Sequence, residues 1–215
     1  MSSELLRRVS VDHLRSSLFL FCFVVFLCTE LPDRFDVGSY PSPSAYAITK
    51  YLVEHRAALL GPSCPDGTLE RQPRMLEIGG GTGAVGLVCA ALGADVLITE
   101  RDALLGQINT NIELNRERFS SAGGLARALP LDWKSDAHLQ DLRPLADPPF
   151  DLLIGSDLIY PATSAIYSRL LHVTLLVGTN QVIQITNDSK QPNNKQSATN
   201  RDFEQTNKQT MICCL

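Results

Sequence analysis

MLEIGGGTGAVGL, residues 75–87, decides the fold, because a short, mostly apolar strand runs straight into a glycine turn and out into a helix. The strand is Met75 to Ile78, the turn is Gly79-Gly80-Gly81-Thr82-Gly83, and the helix extends over 84–92 before Gly93 stops it. Downstream the alternation continues. DVLITE (95–100) reads as a second strand with an acidic residue at its tip, and Asp102 caps a helix over 102–116 with Leu104, Leu105, Ile108 and Ile112 on its inner side. A weaker third strand follows at 126–131, a strong fourth at 150–155 (FDLLIG), a helix at 162–177 and a fifth strand at 181–186 (QVIQIT). Upstream, SAYAITKYLVEHRAALL (44–60) carries apolar residues at helical spacing and ends at Gly61-Pro62. Strands alternating with helices imply right-handed crossovers, a parallel sheet and helices on both faces, which is a doubly wound α/β fold.

Composition narrows the function classes. At 215 residues and 44% hydrophobic the chain suits one domain of ordinary size. Lys plus Arg at 19 against Asp plus Glu at 23 leaves a net charge of -4, without the basic excess that a nucleic-acid binder usually carries. The six cysteines form no CxxC pair and have no histidines at zinc-ligand spacing, so we expect no metal site, and Cys89 within an apolar run reads as a small buried thiol. That usage points to a reducing compartment, and the expected location is the cytoplasm, with the nucleus open.

The ends are less orderly. Residues 18–28 (LFLFCFVVFLC) are continuously apolar after Arg7, Arg8 and Arg15, too short to span a bilayer but of signal-peptide length. Three readings stand: a signal or anchor, a hydrophobic helix docked on the domain or its surface, and an N-terminus that is not ancestral. Membrane association is not expected of the rest of the chain, and this segment alone leaves it open. Residues 187–215 are rich in Asn and Gln and read as a polar, solvated tail.

In an open parallel sheet, ligands bind beyond the carboxyl ends of the strands, where glycine backbone can approach them, so Gly79, Gly81 and Gly83 mark a cofactor. GTGAVG (81–86) is also a formal dinucleotide fingerprint, with Glu100 about twenty residues on. Glu77 weighs against a pyrophosphate, which gains nothing from a neighbouring carboxylate. A cationic ligand gains from it. S-adenosylmethionine carries a sulfonium and an amino group, and its ribose diol suits the carboxylate of Glu100. The plainer alternative leaves Glu77 and Glu100 as surface residues near strand ends.

With MLEIGGGTGAVGL, VLITE (96–100), NIELN (111–115), LDW (131–133) and FDLLIGSDLIY (150–160) in view, the chain resembles the seven-β-strand S-adenosylmethionine methyltransferases. Within them it is most similar to the protein-lysine methyltransferases with a DxxY motif after the fourth strand. The resemblance spans residues 40–186 and implies a Rossmann-like, mostly parallel sheet. It places Glu77 and the glycines near the methionine moiety, Glu100 on the ribose, Asp132 and Trp133 around the adenine, and Ser156 beside the cofactor. It sets Asp157 and Tyr160 facing an acceptor lysine, so the implied activity is methyl transfer to a protein lysine. Trp133 reads either as a stacking platform or as core, and Asp157 either as an acceptor-side carboxylate or as a helix cap.

Two departures accompany the resemblance. The family usually has a tryptophan entering its first helix, where this chain has Tyr40-Pro41-Ser42-Pro43-Ser44. It also adds a β-hairpin after the fifth strand, and none is readable after Thr186, so a version lacking the C-terminal hairpin, truncated or alternatively spliced, is expected. The expected organisation is an extension over 1–39, a methyltransferase domain over 40–186 and the tail over 187–215. Rival readings are methyl transfer to a small molecule, cofactor binding without turnover, and a nicotinamide-dependent oxidoreductase.

Overall fold

The computed structural model describes the backbone of residues 15–21, 24–30, 38, 40–57, 71–158, 164–177, 181–185 and 210–214, with side chains at 38, 40–57, 71–158 and 167–177. The strands are β1 (Arg15–Phe21), β2 (Val24–Glu30), β3 (Arg74–Ile78), β4 (Asp95–Glu100), β5 (Leu125–Pro130), β6 (Leu152–Ser156), β7 (Gln181–Ile185) and β8 (Thr210–Cys214). The helices are α1 (Pro43–Glu54), α2 (Ala84–Ala91), α3 (Asp102–Ser121), α4 (Asp136–Leu142) and α5 (Ser164–Leu176).

Six strands form one sheet in the order β5-β4-β3-β6-β8-β7, with every neighbouring pair parallel. The chain steps outward from β3 through β4 to β5, then returns to the other side of β3 with β6. That reversal opens a crevice beyond the carboxyl ends of β3 and β6, the usual ligand position in such sheets. Register aligns the strand ends there: Ile78 pairs with Thr99 on one side and with Gly155 on the other.

Alternation along the strands divides the core into two layers. Met75, Val96, Ile98, Leu152 and Ile154 pack with α1, α2 and the inner face of α3. Leu76, Ile78, Leu97 and Leu153 face the other way, toward Leu139, Leu142, Leu170 and Val173. Helix α2 is buried nearly all round, as its composition AVGLVCAA requires, and Cys89 within it is fully buried. Burial also pushes the Cys89 thiol up, and the nearby Glu77 carboxylate adds to that rise, so the thiol is inert core. Helix α1 starts where Pro43 occupies the first turn and the Ser42 side chain accepts from the Ala45 N–H, 3.1 Å away.

The structure differs from the sequence expectations at both ends. The apolar segment 18–28 is not helical: β1 and β2 pair antiparallel from Arg15 opposite Glu30 to Phe21 opposite Val24, and β2 runs beside α3. The pairing satisfies one edge of each strand's backbone. No helix among the described residues is long and apolar enough to cross a membrane. The tail reading fails at Thr210–Cys214, which inserts as β8 between β6 and β7, parallel to both. Residues 187–209 lie outside the described residues, as do residues 58–70.

Candidate functional site

A cavity of about 490 Å³ occupies the crevice, walled by the glycine turn after β3, the tips of β4 and β6, residues 131–134 after β5 and the segment leading into α1. Its size suits a cofactor of ordinary dimensions.

The glycine turn is built for close backbone approach. Gly79 and Gly81 hold φ of +63° and +57°, a region that side chains strain to occupy. A Cβ on Gly79 would lie 2.6 Å from the Leu158 side chain, and one on Gly81 would lie 3.0 Å from the Gly38 carbonyl oxygen. Three bonds fix the turn: Gly80 N–H donates to the Thr99 carbonyl (3.0 Å), Gly81 N–H to Glu100 Oε2 (3.0 Å), and Asn111 Nδ2 to the Thr82 carbonyl (2.9 Å). Gly83 does not line the cavity. It starts α2 at φ +78°, with Ile98 and Ile108 against it.

Glu100 ends β4 in the cavity wall, nearly buried. Its Oε2 accepts from Gly81 and its Oε1 accepts from the Arg101 N–H at 2.8 Å. The Arg101 Nε also lies 3.5 Å from Oε1, so of about four acceptor positions on the carboxylate at least one remains for a ligand hydroxyl.

Glu77 does not reach the cavity. It follows the alternation of β3, so it projects to the same side as Met75, under α2, where its Oε2 accepts from the Gly86 N–H at 2.9 Å. It is 1% exposed, and burial raises its carboxyl to about 8, with the Gly86 bond working against that rise and Glu100 adding to it. Its role in the structure is to support the turn from behind, not to face a ligand's positive charge.

Across the crevice, Asp132 and Trp133 both line the cavity. Asp132 Oδ1 accepts from the Lys134 N–H at 2.9 Å, and the Asp132 N–H donates to His138 Nδ1 at 3.0 Å, so the loop is pinned from both sides. Trp133 is half-buried, lining the cavity and packing on the second core layer.

At the tip of β6, Ser156 and Asp157 line the wall next to Gly79. Asp157 has φ +50°, and its Oδ1 accepts from the Ser44 hydroxyl at 2.6 Å. The described part of α5 spans Ser164–Leu176, and residues 159–163, which link it to Asp157, lie outside the described residues. Tyr160 lies outside the described residues. Ser44 and the close approach of Gly38 escaped the sequence reading, since neither belongs to a local pattern. Asn111 left a trace: it and Asn115 sit one turn apart among the inward positions of α3, both fully buried.

Comparison with known proteins agrees with this geometry. A family model described as lysine methyltransferase matches residues 36–201. EEF1A lysine methyltransferase 3 of Mus musculus is 33% identical over 171 residues, covering 78% of this chain and 65% of that protein. Protein N-lysine methyltransferase METTL21A of Mus musculus is 36% identical over 85 residues, covering 40% of this chain and 36% of the relative. The chain thus spans less than two thirds of the length of these curated relatives. Among solved structures, the Thermus thermophilus 16S rRNA N2 G1207 methyltransferase, in complex with AdoMet and guanosine, superposes with a TM-score of 0.50 at 20% identity. That superposition covers 76% of this chain and 38% of the other, a likeness of fold.

Proposed function

The chain belongs to the lysine methyltransferase family, and on that premise we propose that it methylates a lysine side chain of a protein with S-adenosylmethionine as the methyl donor. One observation carries the reading: a single cavity holds Glu100 with remaining acceptor capacity, a glycine turn stripped of side chains, and Asp157 at the tip of the adjoining strand. The bound cofactor supplies an electrophilic methyl group on a sulfonium.

Everything else is done by the chain. Glu100 would hold the cofactor's ribose through its remaining acceptor capacity, and Trp133 would offer a flat face to the adenine beside Asp132. Gly79 and Gly81 let the methionine part lie against backbone. Methyl transfer is an in-line displacement that needs the nucleophile positioned more than it needs acid or base. A lysine, with an ordinary pKa near 10.4, has first to lose a proton, which Asp157 would take up and pass to solvent. Asp157 orients the incoming ammonium, and the wall of Leu158, Gly79 and Trp133 favours its neutral form by excluding water. Tyr160 belongs to the same acceptor channel in this reading.

The test is methyl transfer from radiolabelled S-adenosylmethionine to lysate proteins, with EEF1A, which the mouse relative's name carries, as the first purified acceptor. Label that appears in a protein band and disappears with Asp157→Ala supports the reading. Label confined to small, solvent-soluble products would replace it with a small-molecule acceptor.

A further inference from the structure

The segment entering α1 lines the cavity at Gly38, Tyr40, Pro41, Ser42, Pro43 and Ala45, and two of its contacts bear on the site's geometry. At Gly38 its backbone packs on the glycine turn, since a Cβ there would lie 3.2 Å from Gly81 Cα and 3.9 Å from Glu100 Oε2. Six residues on, Ser44 sits in the first turn of α1, 7% exposed and outside the cavity lining, with its hydroxyl donating to Asp157 Oδ1 at 2.6 Å. The two side chains are 113 residues apart in sequence.

We propose that Ser44 is a positioning residue for methyl transfer, its hydroxyl holding the Asp157 carboxylate in one orientation at the acceptor end of the cavity. This rests on the assignment of Asp157 to the acceptor side made above. Three features support it. The helix does not need the Ser44 hydroxyl as a cap, because Ser42 already fills that role. Ser44 stands on a rigid base, with its neighbours Ala45 and Ile48 buried in the core. Asp157, by contrast, leaves β6 at φ +50°, a conformation that persists only where surroundings hold it, and among the described residues Ser44 is the one partner of its carboxylate. A charge-assisted bond to Oδ1 stops the carboxylate from turning and leaves Oδ2 for a cation.

The test does not depend on knowing the protein substrate. Sinefungin carries an amine where S-adenosylmethionine carries its methyl, so a well-placed Asp157 favours sinefungin over S-adenosylhomocysteine, and calorimetry on the full chain reads the ratio of the two affinities. Asp157→Ala is expected to lower that ratio at least about tenfold, and Ser44→Ala about three- to tenfold with S-adenosylhomocysteine affinity within about twofold of the wild type. Ser44→Thr, which keeps the hydroxyl, should hold the wild-type ratio, and the Ser44→Ala/Asp157→Ala pair should match Asp157→Ala alone. A ratio unchanged in Ser44→Ala but lowered in Asp157→Ala overturns the role of Ser44 and leaves that of Asp157 standing. Equal losses for both ligands in Ser44→Ala reduce Ser44 to a structural residue and overturn it too. A ratio indifferent to Asp157→Ala overturns the acceptor-side assignment, and the role of Ser44 with it.

Discussion

Glu77→Gln should remove a pH-dependent weakness from the fold. In the native state the Glu77 carboxyl titrates near 8 against an ordinary 4.5, and burial is the main cause. Between those values the folded chain retains a proton that the unfolded chain has released. Stability therefore falls as pH rises, by about 1.4 kcal/mol per pH unit while the difference lasts. Across the whole interval the loss is on the order of 5 kcal/mol, present in full above pH 8 and absent below pH 4.5. Glutamine keeps an oxygen to accept the Gly86 N–H and carries no charge, so the variant should be more stable than the wild type at pH 8 and equal to it or slightly weaker near pH 5. Urea unfolding at four pH values between 5 and 8.5 measures both proteins. Every other group is common to the two proteins, so the difference between the two curves isolates Glu77. Parallel curves would refute the reasoning, because they would mean that the carboxylate is solvated or paired in the native state.

The cavity makes further predictions. Glu100→Ala should weaken S-adenosylhomocysteine binding by about 1.5 to 3 kcal/mol in calorimetry, the value of charge-assisted bonds to a ribose. Gly81→Val should lower that affinity at least about a hundredfold, because its side chain would meet the Gly38 backbone at a left-handed φ; full binding by a folded variant would place the cofactor elsewhere. Asn111→Ala leaves the Thr82 carbonyl buried without its donor, so denaturant unfolding should show a loss of about 1 to 3 kcal/mol together with weaker cofactor binding. Asp157→Ala and Tyr160→Ala should each reduce methyl transfer at least about tenfold, or about 1.4 kcal/mol, while the S-adenosylhomocysteine dissociation constant stays within a few-fold.

The central sheet was legible because its strands are short apolar runs closed by glycine, acid or proline, and periodicity within a run is a local property. The two terminal differences are non-local. LFLFCFVVFLC has no glycine, asparagine or aspartate at its midpoint, so nothing in the letters marks the reversal between Phe21 and Val24. TMICC is a five-residue run behind an amide-rich stretch, and its place between β6 and β7 depends on pairing with strands far back in the chain. The site divides the same way. Glu100 is legible from its place at a strand end, and Asp132, Trp133, Ser156 and Asp157 from the family resemblance; all five line the cavity. Ser44 has only a long-range partner and could not be found from sequence spacing.

Glu77 shows how one residue of register separates two chemistries for the same side chain. Along β3 the odd positions Met75 and Glu77 face α1 and α2, while Leu76 and Ile78 face the second layer, so a carboxylate inside the strand is committed to the core whatever stands two residues later. A carboxylate at the last position of β4 escapes that commitment: the chain turns there, and Glu100 splits its oxygens between two backbone donors and the cavity. Asp157, one residue beyond β6, escapes it further, taking a left-handed φ with its carboxylate tethered to the Ser44 hydroxyl. Three acids at three neighbouring strand ends thus become a buried brace, a hydrogen-bond acceptor in the cavity wall and a poised anion. Moving any of them by one position would exchange those roles, because the side-chain period of a strand is two.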